Sequence, residues 1–339
     1  MVIHIKKTWS NKEKDIYKKI NEIIYCLLTL AFALYYPFLI FLLGKDYSGL
    51  ILGSAVDDFI LLGNIFIVGE VSIIFLWAIS AKIGTKKNPK LLETKNNYER
   101  FKQNLLENYS RKNKLKRKCY HMLPFTVVGI IPLIFYLSFS NLGDIWISYA
   151  LFFIAIVGVD FAFTFIIGDV VRLLDFSYMP SKAANLFKAA MTDEELETFT
   201  STSVMVFGFG PFIFFNFTIF FIVVLISAIA DAFASIIGLI SSKYNHIFPK
   251  GTTKTIEGYL GGIIVCFLCT LFGAYYSNML GLSNWKFNSV LLIAIILSIT
   301  FFLIDLITSK IKLQDNYINS LTIGSVLLIT LILLKIPIF

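Results

Sequence analysis

The amino-acid sequence predicts an all-α fold, a polytopic transmembrane helical bundle of about nine spanning helices with its N-terminus cytoplasmic. Three observations carry that prediction. Across 339 residues the composition is 57% hydrophobic and only 15% charged, with a mean hydropathy of +0.76, a balance foreign to ordinary soluble domains. The apolar residues fall in runs of about 20, enough helix to cross a hydrocarbon core roughly 30 Å thick, where backbone groups are satisfied only within helices. The basic residues are confined to alternate connections between those runs.

The runs lie at 22–44, 59–81, 122–140, 145–171, 201–216, 218–240, 257–278, 287–307 and 318–337. The fifth is short, and Gly208, Gly210, Pro211 and Asn216 break any continuous helix between it and the sixth. Taking the N-terminal tail and every second connection after it, 27 of the 30 Lys and Arg lie on one side. The other side keeps only Lys45, Lys286 and Lys335. The positive-inside rule then sets the tail in the cytoplasm and the C-terminus outside.

Organisation follows from these spans. Residues 1–82 hold the tail and two spans, 83–116 form a basic cytoplasmic loop, and 117–339 form a transmembrane domain that carries most polar motifs. The loop contains an amphipathic stretch near 96–110, which either lies on the anionic inner leaflet or acts as a solvated connector. No cleavable signal is expected, because residues 1–21 are polar and the first run is long enough to stay in the bilayer. The net charge of +8 is accounted for by topology, so no nucleic-acid partner is expected. Cys26, Cys266 and Cys269 stand inside apolar runs and Cys119 beside a basic cluster, which suits neither a disulfide framework nor a zinc site.

The residues able to do chemistry gather on the inner side. Asp231 interrupts an apolar run about two and a half turns before its inner end, where a carboxylate is costly unless it binds something. Ala230, Ala232, Ala234, Ser235 and Gly238 around it are small, which suits close helix packing or a phosphate approaching the backbone. Lys254-Thr255-Ile256-Glu257-Gly258 stands where a new span begins. A helix N-terminus offers free N–H groups and a positive dipole end, so Lys254 and Thr255 are placed for phosphate oxygens, while Glu257 ligates a divalent cation or complements the dipole. Gly251-Thr252-Thr253-Lys254-Thr255 is not a P-loop, because Thr253 stands where a glycine is required.

Arg117-Lys118-x-x-His121 sits at the inner end of the third run and Asp169-x-x-Arg172 ends the fourth. Helix anchoring and a local i,i+3 ion pair are the plainer readings of these two. Asp193, Glu194, Glu195 and Glu197 precede the fifth run and suit a helix start. Asp305 lies near the inner end of the eighth run, and Gln314-Asp315-Asn316 fills the next turn. Glu70 and Asp160 are acids within spans, for which an interhelical hydrogen bond suffices.

In order and spacing, these motifs resemble the CTP-dependent membrane lipid kinases, the family of dolichol kinase, yeast-type diacylglycerol kinase and phytol kinase, over roughly residues 115–335. The resemblance rests on Arg117-Lys118-x-x-His121, Asp169-x-x-Arg172-Leu173, Glu195 or Glu197 before Thr200 to Ser203, Asp231-x-x-Ala234-x-x-x-Gly238, Lys254-Thr255-x-Glu257-Gly258 and Asp315-Asn316. The chain departs from the family at Ala230 and Ser242, where glycines are usual. Phosphatidate cytidylyltransferases share the Asp-bearing helix and the Lys-Thr-x-Glu-Gly element, but their His-Gly-Gly turn is missing after His4, His121 and His246.

The resemblance implies transfer of the γ-phosphoryl group of CTP, with Mg²⁺ or another divalent cation, to a membrane lipid alcohol, with dolichol or polyprenol as the favoured acceptor. It implies catalytic roles for Asp231, Asp169 and Lys118. Arg117, Lys118, Arg172, Gly238, Lys254, Thr255 and Gly258 would hold the CTP phosphates, and Asp231, Glu257 and Asp315 the metal. The host membrane would be the endoplasmic reticulum in a eukaryote and the plasma membrane in a prokaryote. Two alternatives stay open: cytidylyltransferase-type synthesis of a CDP-lipid, and a transporter whose Glu70, Asp160, Asp231 and Asp305 line a path.

Overall fold

The computed structural model describes residues 9, 16–45, 53–107, 111–143, 145–241, 246–252, 254–311 and 314–338. Ser242 lies outside the described residues, as does the side chain of Glu194. Every extended regular element among the described residues is helical. In chain order the principal helices are α1 (Ile16–Lys45), α2 (Gly53–Lys87), α3 (Tyr98–Glu107), α4 (Arg111–His121), α5 (Leu123–Phe139), α6 (Ile145–Leu174) and α7 (Ser181–Ala190). There follow α8 (Ser201–Phe209), α9 (Phe217–Leu225), α10 (Asp231–Ser241), α11 (Ile256–Met279), α12 (Phe287–Ile311) and α13 (Asp315–Leu333). A π-helical turn, Ile226–Ala230, joins α9 to α10.

Seven stretches among the described residues are long and apolar enough to cross a bilayer: within α2, α4 with α5, α6, α9 with α10, α11, α12 and α13. This is the build of a multi-pass membrane protein. The first expected span falls in α1, whose side chains from 33 onward lie outside the described residues.

The fifth expected span is corrected. Ser201–Phe214 is an apolar helical segment too short to cross as a helix. Phe212 nonetheless lays its ring on Gly324 of α13. Five residues later the Phe217 ring sits 6.4 Å from Tyr276, near the end of α11 remote from Thr255. From Met205 onward the segment therefore advances along α13, away from Asp315, as α-helix and then, over Gly210–Phe214, as a 3-10 turn. Asn216 ends it by capping α9, its side chain accepting the Thr218 amide at 2.7 Å.

The chain divides into two compact units. One is Met1–Gly44, Leu52–Arg117 and Ala155–Val204; the other is built mainly from Lys118–Ile154 and Met205–Phe339. In the first, the apolar face of α3 does not meet lipid or water as its sequence suggested. Phe101 and Leu105 are buried in a cluster with Phe165, Phe176, Met179 and Phe187, and Tyr98 donates its hydroxyl hydrogen to the Leu196 carbonyl at 2.6 Å. Burial of those two side chains against protein is worth about 1.5–3 kcal/mol each relative to exposure in water. Of the half-buried acids of this unit, Glu70 accepts the Thr164 hydroxyl hydrogen at 2.6 Å across the helix pair, an interhelical bond of the expected kind, while its other oxygen and Asp160 Oδ1 have no hydrogen-bond partner among the described residues.

In the second unit α11 is central, packed between α10 and α12. Its Gly258 comes so close to α10 that an added Cβ would lie 2.9 Å from the Ala234 carbonyl oxygen and 3.2 Å from the Gly238 Cα. The small residues of α10 and α11 therefore let two backbones touch, as at small-residue interfaces between membrane helices.

Candidate functional site

Charged side chains within apolar helices need partners, and each unit answers that need differently. In the first unit, Asp169 and Arg172 share one face of α6 at i,i+3 spacing, both fully buried. The Arg172 guanidinium reaches Asp169 Oδ1 through Nη2 at 2.7 Å and Nε at 3.2 Å, and donates to the carbonyls of Leu196 and Thr198. The second Asp169 oxygen accepts both the Thr200 amide and hydroxyl at 2.8 Å. Glu195 closes the same segment, accepting the Thr192 amide at 2.8 Å and the Ser201 amide at 2.9 Å. This is a saturated knot that ties residues 192–201 to α6. The expectation that Asp169 is catalytic and Arg172 holds phosphate is corrected on that ground: their hydrogen-bonding capacity is committed to their own chain.

The second unit carries a different arrangement at one end of its helices. Lys118, from the end of α4, reaches Asp231 Oδ2 at 2.8 Å, with side-chain exposures of 14% and 4%. His121, one turn on and buried, lies within electrostatic reach of the same carboxylate. Asp231 follows the π-helical turn, a local widening that recurs at functional positions in helices. Lys254 sits on a short hairpin in which Phe248 N donates to the Lys254 carbonyl and Ile256 N to the His246 carbonyl, both at 3.0 Å. Its ammonium is 2.5 Å from Asp305 Oδ1 and 3.5 Å from Asp315 Oδ2. Burial would depress Lys254, but the carboxylates of Asp315, Asp305 and Asp231 outweigh it and hold the lysine protonated well above its usual range.

The site thus holds Lys118, Lys254, Asp231, Asp305 and Asp315, with one carboxylate in excess of the lysine cations. Lysine, with three donors on a flexible stem, can trade a carboxylate for a phosphate oxygen. Arg117 belongs to the other unit, and its Nε is buried without a partner among the described residues.

The remaining expected residues are placed otherwise. Thr255 is a buried N-cap, its hydroxyl accepting the Gly258 amide at 3.2 Å and meeting Ser241 at 3.1 Å. Its hydroxyl is committed to capping α11 and to Ser241. Gly238 and Gly258 spend their missing side chains on helix contact, so neither forms a phosphate cradle. Glu257 pairs with His246 on the exposed side of the hairpin. The three expected metal ligands, Asp231, Glu257 and Asp315, therefore turn to Lys118, His246 and Lys254 in turn. No group of three His, Cys, Asp or Glu among the described residues closes on a common point. The donor set still fits a divalent cation in a simpler way: Mg²⁺ takes one or two carboxylates plus substrate phosphates, and Asp305 and Asp315 flank a single cation already. Asp305 was legible as an acid near a helix end; its contact with Lys254, across 51 positions of sequence, was not.

No family model, curated protein or solved structure matches the chain.

Proposed function

We propose that the second unit is the phosphoryl-transfer centre of a CTP-dependent membrane lipid kinase, acting on a polyprenol or dolichol type of alcohol. The observation that carries this reading is the Lys118–Asp231 and Lys254–Asp305–Asp315 network, two lysines and three aspartates brought to one end of apolar helices from four separate helices and a hairpin. Such transfer demands mainly positioning and charge neutralisation.

In this reading the lysines release their carboxylates to hold the phosphates of the donor. A divalent cation arriving with the nucleotide would be held by Asp305 and Asp315 and would neutralise phosphate charge. Asp231, freed from Lys118, orients the lipid hydroxyl and accepts its proton. The alcohol oxygen forms the new bond to the γ-phosphorus as the bond to the β-phosphate oxygen breaks, leaving CDP.

The test uses purified protein in detergent with magnesium and CTP labelled at either the α or the γ phosphate, against dolichol, diacylglycerol, phytol and phosphatidate. The expected result is γ label on an alcohol, falling about 10²–10³-fold in Asp231→Asn, the scale of removing one preorganised electrostatic partner. Delivery of α label to phosphatidate would sink the kinase reading and establish the cytidylyltransferase.

A further inference from the structure

One turn beneath the charged layer lies a polar group that nothing among the described residues satisfies. Asn319 is on α13, four residues after Asp315 and so on the same helix face, about 6 Å further from the polar end. It is 3% exposed, and both its amide nitrogen and its amide oxygen are buried without a hydrogen-bond partner among the described residues. Its neighbour Ser320 bonds Ser227 at 2.8 Å. Ser227 lies in the π-helical turn, one helical turn before Asp231, so α13 at this depth packs beside the helix that carries the central carboxylate.

An orphaned buried amide is expensive. Each unsatisfied donor or acceptor loses its hydration with no bond in return, and a bilayer offers no bulk water to relieve it. A ligand that both donates and accepts removes that cost; a phosphate or carboxylate, which only accepts, would leave the amide oxygen bare. Depth selects among such ligands. An anionic nucleotide approaches from the polar end and meets the cations of Lys118 and Lys254 first. A lipid alcohol comes from the hydrocarbon, and its hydroxyl must stop just short of those cations.

Resting on the lipid-kinase reading above, we propose that Asn319 is the residue that binds the acceptor hydroxyl. In the ground-state complex its amide oxygen accepts the hydroxyl hydrogen and its amide nitrogen donates to the hydroxyl oxygen, which holds the alcohol one turn below the phosphates and beside Asp231, to which the hydrogen passes as the phosphoryl group transfers. Its ligand class is the primary alcohol of a long-chain lipid.

Binding, read apart from turnover, tests this. Geranylgeraniol and its methyl ether, which lacks the hydroxyl hydrogen, are titrated against the full chain in detergent, with thermal shift and native mass spectrometry as readouts. The alcohol should bind about tenfold tighter than the ether, the worth of one hydrogen bond to a buried group. In Asn319→Leu, of similar volume, that preference should vanish and the KM for the alcohol should rise about tenfold or more, with the KM for CTP unchanged. Equal binding of alcohol and ether by the unsubstituted protein overturns the proposal, and needs no variant to fold. An unaltered preference in Asn319→Leu also overturns it and leaves the amide to a buried water. Alcohol binding that depends on Asn319 without any γ-label transfer would remove the kinase reading and leave the hydroxyl site standing.

Discussion

The Asp169–Arg172 knot and the Lys118–Asp231–Lys254 network both place charge inside apolar helices, yet they are built on opposite plans. In the knot, the cation is an arginine whose rigid fork is filled by a carboxylate and two carbonyls of the same chain, and the carboxylate is filled in return by Thr200. In the network, the cations are lysines, each carboxylate keeps oxygen capacity beyond its lysine, and the lysines keep 14% and 27% exposure. A saturated ion pair holds structure, whereas an unsaturated one can exchange partners. The sequence presents both as acids and bases near helix ends; only the count of satisfied donors separates them.

The comparison is sharpest under substitution. Arg172→Met leaves Asp169 buried and uncompensated, and should destabilise the protein by about 3–5 kcal/mol, visible as a collapse of folded yield and thermal midpoint in detergent. Asp231→Asn should cost less, about 1–3 kcal/mol, since the amide keeps the shape of the carboxylate and an acceptor oxygen for Lys118, whose side chain is 14% exposed. An Asp231→Asn protein that fails to fold while Arg172→Met folds would invert the assignment of the two clusters.

A smaller effect probes the frame that carries the network. Gly258→Ala pushes a methyl group toward the backbone of Ala234 and Gly238, and should cost about 1–3 kcal/mol through separation of α10 from α11. Thermal unfolding reads the loss. An unchanged midpoint would mean that the two helices have room to part.

The smallest expected effect is one of pH. Lys254 is raised by Asp315, Asp305 and Asp231, so its contribution is fully present below the unfolded lysine value of about 10.4 and fades only as pH climbs through the higher folded value. The stability difference between the unsubstituted protein and Lys254→Met should therefore be flat from about pH 6 to pH 10. A midpoint in that difference near pH 8 would show that the three carboxylates do not act on this lysine.

Much of the fold was legible because the bilayer imposes it: long apolar runs must be helices. The short segment after Thr200 was misjudged because hydropathy measures composition, and Gly210, Pro211 and Asn216 end the helix before it spans. The α3 face went unread because amphipathicity states that a partner exists without saying whether it is lipid or Phe176. At the site, Lys118, Asp231, Lys254 and Asp315 were legible as costly or clustered charges. Arg172 and Thr255 were misread because their satisfaction comes from carbonyls and amides, which every residue possesses. Asn319 gave no signal, since one amide in an apolar helix becomes conspicuous only when its surroundings are empty of partners.

The brevity of the Ser201–Phe214 helix also bears on how the chain enters its membrane. A short apolar stretch with glycine and proline at its end is a weak signal for lateral release into lipid. The following stretch, Phe217–Ser241, is strongly hydrophobic and mostly buried within the protein. Integration of the two as one hairpin, with the later helix drawing in the earlier one, is the expected consequence. Nascent chains truncated before Phe217 would leave the short helix outside the lipid, and the segment that bears Asp231 would be the one that completes its insertion.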